Sequence, residues 1–174
     1  MPKIIENVRG QLLAEARRQI AMHGYAATTI RSVACACGLG TGTVYNYFPS
    51  KEMLVAAFVY EDWKKYLEEM EKLPNDAPRE LLGGIFDCLQ RFSAENAKLF
   101  SDTDAAKLIA AGFSSRHKIL REQIASFILP LCERNCLDTS AFSAEFLAEA
   151  LINWAMEGVE FDSLYPILGK ILKK

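Results

Sequence analysis

Apolar residues recur along this chain at steps of three and four, and no stretch alternates apolar and polar residues between turn signals as a half-buried strand does. Ile5, Val8, Leu12, Ala16 and Ile20 line one side of a predicted first helix from Lys3 to His23, which Gly24 ends as a C-cap glycine. Ile30, Val33, Ala34 and Cys37 predict a short second helix behind the capping threonines Thr28 and Thr29. A third helix runs from Thr41 to Phe48 and stops at Pro49, which disfavours the α conformation in the residue before it. Leu54, Ala57, Phe58, Trp63 and Leu67 mark a long helix from Lys51 to Leu73, and Pro74 to Pro78 breaks the pattern. Five further helices are expected: Pro78 to Phe100, Asp102 to Ala111, Ser115 to Asn135, Ser140 to Phe161 and Asp162 to Lys173. Pro130 should kink or split its helix, and Pro166 should fall in a first turn. The predicted class is all-α, with a small domain over residues 1–50 and a larger one over 51–174, joined through continuous helix.

Two short helices joined by the turn Gly38 to Gly40 form a helix-turn-helix pattern, whose second helix lies in the DNA major groove. Val44 and Phe48, four apart, are placed to pack inward. Thr41, Thr43, Tyr45, Asn46 and Tyr47 then offer uncharged hydrogen-bonding groups for phosphates and base edges. Lys51 stands at the next helix start, where its charge and free N–H groups both suit a phosphate.

The runs GYAATTIRSVA (Gly24 to Ala34) and CGLGTGTVYNYFPSK (Cys37 to Lys51) resemble the N-terminal DNA-binding domain of TetR-family repressors. The resemblance covers about the first third of the chain directly. It implies an N-terminal three-helix DNA-binding domain followed by a helical domain for effector binding and dimerisation. It also implies a homodimer on a palindromic double-stranded DNA operator, a small-molecule effector and a bacterial source. With the chemistry above, Thr29, Tyr45, Tyr47 and Lys51 are expected on phosphates, with Thr28 beside them. Arg31, Thr41, Thr43 and Asn46 are expected at base or groove edges, and Gly42 permits close backbone approach. The chain departs from the family pattern at Gly40, where a capping serine is usual, at Cys37, where alanine is usual, and at Cys35, where a charged residue is common.

Charge agrees once it is divided. Residues 1–51 carry a net +4 and the remainder −6, within a total of −2. A basic head on an acidic body suits one polyanion-binding face. No apolar run reaches the length of a membrane span, and charges interrupt the N-terminus where a signal peptide needs an apolar stretch, so a cytoplasmic location and no membrane partner are expected.

In the body, the helix from Ser140 is apolar most of the way round and asks for cover on most sides. Phe146, Leu147, Ala150, Leu151, Trp154 and Gly158, with Leu164, Leu168 and Ile171 of the last helix, are the expected dimer interface. Tyr60, Trp63, Phe86, Phe92, Phe113 and Phe127, with Asn96, His117 and Gln123 as polar anchors, are the candidate lining of an effector cavity.

Catalytic signatures are absent from the sequence: there is no G-x-S-x-G, Walker A, H-E-x-x-H or dinucleotide fingerprint, and the two histidines are far apart. No enzyme activity, cofactor or metal is expected. Five cysteines, an odd number, fit reduced thiols. Cys132 and Cys136 share a helical face without a histidine to complete a metal set, and Cys35 near the DNA face motivates a thiol-responsive regulator as an alternative. A DNA-binding adaptor without an effector is the other alternative.

Overall fold

The computed structural model describes residues 7–105, 113–135 and 139–172, with residues 113–116 described by backbone alone. Its helices are α1 (Val8–His23), α2 (Ile30–Ala36), α3 (Thr41–Tyr47), α4 (Lys51–Met70), α5 (Pro78–Glu95), α6 (Ala97–Phe100), α7 (Phe113–Arg134), α8 (Ser140–Met156) and α9 (Phe161–Ile171). No strand occurs among the described residues, as the all-α expectation requires. The expected helix from Asp102 to Ala111 lies mostly outside them, as does Cys136.

The chain forms two compact units. The first is Met1–Trp63 together with Asn96–Ala111, and the second is Lys64–Glu95 with Gly112–Lys174. The division falls within α4, twelve residues beyond the boundary expected near Lys51, and a later limb of the chain returns to the first unit.

In the first unit Leu12, Leu13 and Ala16 of α1 are sealed against Val33, Val44, Leu54 and Phe58. Leu99 and Ala105 enter this same core at 3% and 1% exposure. The limb that carries them is pinned twice. Lys98 Nζ donates to the Ala21 carbonyl at 2.5 Å, near the end of α1. The Asp102 carboxylate accepts from the Ala26 N–H at 3.3 Å and from the N–H groups of Asp104 and Ala105.

The three arginines of α1 are each paired with a carboxylate of the same unit. Arg17 grips Asp62 of α4 with two bonds, at 2.9 and 2.7 Å. Arg9 pairs with Glu61, and Arg18 with Glu15. Asp62 is accordingly buried. With Glu52, Glu61, Asp62, Asp102 and Asp104 folded in, the first unit holds eight basic and seven acidic residues. The strongly basic head read from residues 1–51 is therefore close to neutral as a folded body.

In the second unit α8 packs mainly on α7 and α5, and α9 packs on α5. The Phe161 ring lies against Gly83, where an added Cβ would meet it at 3.0 Å. Arg79 at the start of α5 binds Asp162 of α9 at 2.7 Å. Pro130 sits within an unbroken α7, with no split. Pro166 lies in the interior of α9 and on its exposed side, because that helix starts at Phe161, so it is not a first-turn proline.

If the limb is part of the head, Leu99→Ala should destabilise residues far from it in sequence. We expect a loss of about 2–4 kcal/mol, read by native-state hydrogen exchange at Leu12, Val33 and Val44.

Candidate nucleic-acid interface

The turn between α2 and α3 is built by backbone bonds that only a glycine accommodates well. Gly38 has φ 67 and follows the C-cap residue Cys37. Its N–H donates to Cys35 at 3.0 Å, and the Leu39 N–H donates to Ala34 at 2.9 Å. This is a Schellman ending, which satisfies the last carbonyls of α2 and reverses the chain. At the other end of α2, Thr29 Oγ1 accepts from the Ser32 N–H at 3.0 Å while Ser32 Oγ accepts from the Thr29 N–H at 3.0 Å. The Ser32 hydroxyl donates in turn to the buried Gln19 of α1 at 2.6 Å. Sequence reasoning recognised the threonine cap and missed this reciprocal box. Its signal was the spacing of Thr29 and Ser32, with serine where glutamate or glutamine is usual.

On α3 the inward pair is as expected: Val44 is fully buried and Phe48 is 4% exposed. Arg9 lies over the Phe48 ring, 5.7 Å from its centroid. Outward stand Thr41, Gly42, Tyr45, Asn46 and Tyr47, with Thr43 half-buried; the two tyrosines are 53% and 46% exposed. Arg31 of α2 is exposed as well. The structure thus gathers most of the expected contact set on the outer side of two short helices. Thr28 does not join them: it is 2% exposed, and its hydroxyl donates to the Gly24 carbonyl at 2.9 Å, closing the turn after α1.

Lys51 opens α4, where the Met53 N–H donates to Ser50 Oγ. Its ammonium is half-buried, donates to the Tyr25 carbonyl at 2.5 Å and lies 3.7 Å from the Tyr25 ring centroid. Burial lowers its pKa, while Glu52, Asp102 and Asp104 pull the other way. Tyr25, a buried residue of the core, is therefore the seat of the expected phosphate anchor. Its hydroxyl donates to Glu52 at 3.2 Å, and burial, then Glu52, push its pKa up to about 12.

The expected effector residues are divided between the two units. Tyr60 is 59% exposed. Trp63 and Asn96 are buried in the first unit. In the second, Phe92 meets Tyr66 edge-on, Phe86 is buried beside Phe161, and His117 Nε2 lies 2.9 Å from both Glu149 oxygens. Phe127 is half-buried on α7, and the Phe113 side chain lies outside the described residues. An open groove between α7 and α8, lined by Ala125, Leu129, Ala141, Ala144 and Glu145 among others, contains none of the expected lining.

The expected dimer residues divide. Leu147, Leu151, Leu164 and Leu168 are buried in the chain's own core, so they are not available to a partner. Ala150 and Ile171 are half-buried, while Phe146, Trp154 and Gly158 are exposed. With Phe142, which is 70% exposed, Phe146, Ala150 and Trp154 form a ridge at four-residue steps along α8.

Among the cysteines, Cys35 is exposed and Cys37 half-buried; burial raises the thiol pKa of Cys37, Cys88 and Cys132 and keeps them protonated. No described helix is long and apolar enough to cross a membrane.

The segment that builds this interface has known counterparts. Residues 12–58 match the family model described as bacterial regulatory proteins, tetR family. The helix-turn-helix repressor KstR2 of Mycobacterium tuberculosis is 34% identical over 86 residues, which are 47% of this chain and 42% of that protein. AcnR of Corynebacterium efficiens, also named a repressor, is 35% identical over 86 residues, 49% of this chain and 44% of its own. The chain spans less than half the length of these curated relatives. GusR of Salmonella enterica shares the fold with a TM-score of 0.70 at 19% identity, covering 98% of each chain. FadR of Bacillus halodurans, titled a fatty acid degradation regulator, follows at 0.58 and 21%, covering 98% of this chain and 96% of its own. The match to the tetR family of bacterial regulatory proteins lies in the N-terminal domain, and the all-α fold is shared with solved structures titled as regulators of this kind.

Two predictions follow from the geometry of the head. A Cβ at Gly40 or Gly42 would meet nothing within 4 Å. Gly40→Ser should supply the missing cap and stabilise the head by a few tenths of a kcal/mol. Gly42→Ala should stabilise it by about 0.5–1 kcal/mol; urea unfolding measures both. The second prediction concerns alkali. The raised Tyr25 pKa favours the protonated form in the fold, so this contribution is intact below pH 10. It is lost as pH rises from 10 to about 12, on the order of 2 kcal/mol. Tyr25→Phe should flatten that limb of the stability–pH curve relative to the parent.

Proposed function

We propose that the protein is a transcriptional repressor that reads a two-fold DNA operator as a homodimer and releases it when a small, largely apolar effector binds. The observation that carries the DNA-binding reading is the outer side of α3. A seven-residue helix turns only Val44 into the buried core and leaves polar, hydrogen-bonding side chains outside. Glycine at position 42 lowers helix propensity with no internal contact that requires it, which fits close approach of the helix to a DNA backbone. In this reading Thr29, Tyr45, Tyr47 and Lys51 hold phosphates, and Arg31, Thr41, Thr43 and Asn46 face base edges. The near-neutral charge of the first unit means affinity rests on these few local contacts, not on a broad basic field.

The dimer rests on the α8 ridge. Two exposed phenylalanines, with ring centroids 6.5 Å apart, and an exposed tryptophan along one helix make the kind of apolar patch that marks an association surface. A two-fold reader needs two heads at fixed separation, and the ridge offers the self-complementary contact for it. The effector arm is supported by the apolar helical second unit and by the fold shared with FadR, a regulator named for fatty acid degradation.

Binding of the purified chain to its own upstream DNA and to random duplexes, across a salt series, tests the reading. Lys51→Ala should weaken binding to all sequences alike and flatten the salt slope by about one. Asn46→Ala should change preference among sites. Equal losses from both across a site library, or no binding by the parent at low salt, would remove the assignment.

A further inference from the structure

The peptide group joining Tyr25 to Ala26 is held on both edges. Its carbonyl oxygen accepts from Lys51 Nζ at 2.5 Å, and its N–H donates to Asp102 Oδ2 at 3.3 Å. In a trans peptide these two groups point in opposite directions, so a cation and a carboxylate grip one planar unit from opposite sides. Each bond polarises the peptide in the sense that strengthens the other. The carboxylate makes the carbonyl a better acceptor, and the better acceptor holds the ammonium more firmly.

Asp102 is itself well fixed. It accepts from the N–H groups of Asp104 and Ala105, and Lys98 ties the limb to the Ala21 carbonyl. Leu99 and Ala105 are buried in the head's core. The exposed Asp104 sits two residues on, and Glu52 lies beside Lys51 in sequence and bonds to the Tyr25 hydroxyl. All three carboxylates act electrostatically on both Lys51 and Tyr25. A phosphate approaching Lys51 therefore competes with a carbonyl for its protons and meets a cation whose charge is partly offset.

We propose that Asp102 and Asp104 are positioning residues that hold the Lys51 ammonium turned in on the Tyr25 carbonyl and so restrain the head's affinity for the DNA backbone. This rests on the DNA-binding reading above.

The test uses the full chain and two probes. The first is binding to a random-sequence duplex and to the upstream DNA over a salt series. The second is the titration of the Lys51 side-chain amine followed by NMR. Asp104→Asn removes charge and leaves the Asp102 bonds in place. It should tighten binding to both duplexes about two- to fivefold at low salt, with the gain fading as salt rises. Asp102→Asn should act in the same direction. The gain should vanish in the Lys51→Ala background, and the Lys51 titration should move to lower pH in both aspartate variants. Unchanged DNA affinity in both variants, a gain that survives without Lys51, or an unmoved Lys51 titration overturns the inference while leaving the DNA reading intact. Failure of the parent to bind either duplex overturns the DNA reading, and with it this inference, and is seen separately in the parent's own curve.

Discussion

A seven-residue helix does not hold itself together in water, because two turns cannot repay the cost of nucleation. Everything in the first unit answers to that constraint. Because α3 leaves most of its side chains outside, its stability has to come from Val44, from Phe48 just beyond its end, and from the turn before it. The Schellman bonds around Gly38 fix where α3 begins relative to α2. The reciprocal cap of Thr29 and Ser32, extended to Gln19, fixes α2 on α1. The outer face is therefore presented by a lattice of backbone and side-chain bonds beneath it, and that leaves Thr41, Tyr45, Asn46 and Tyr47 uncommitted to the core.

Electrostatics in the same unit work by placement more than by total. Arg9, Arg17 and Arg18 look like a basic stripe along a helix, yet each is matched by a carboxylate, two of them on α4. Arg17 with the buried Asp62 is the strongest case, since two parallel bonds to a desolvated carboxylate fix the angle between α1 and α4. Arg17 braces α1 on α4, while Arg9 and Arg18 make their pairs at the surface. The same economy appears at Lys51, whose ammonium is seated by a carbonyl and an aromatic ring that a core tyrosine supplies.

The second unit shows how a helix that is apolar on several sides divides its labour. α8 uses Leu147, Leu151, Ile152 and Ala155 to pack within its own chain and leaves Phe142, Phe146 and Trp154 outside. Burial of the first set holds the unit together. Exposure of the second set leaves an apolar ridge facing water, which is costly.

The helical class, the positions of α2 and α3, the inward pair Val44 and Phe48 and the resemblance carried by Gly24 to Lys51 were all legible in the sequence. Each depends on local spacing, on glycine and proline backbone preferences, or on a motif within a few turns, and such information is written along the chain. What the sequence could not show depends on residues distant in order meeting in space. Leu99, Ala105 and Asp102 join a head that is otherwise complete by Trp63, and no periodicity in residues 96–105 announces it. Thr28 turned inward, and the leucines of α8 and α9 stayed within their own chain. The charge of the head fell from strongly basic to nearly neutral because folding, not sequence order, decides which carboxylates stand beside which cations. Local propensity is a property of a segment. Pairing, burial and net field are properties of the packed body, and only the tertiary structure fixes them.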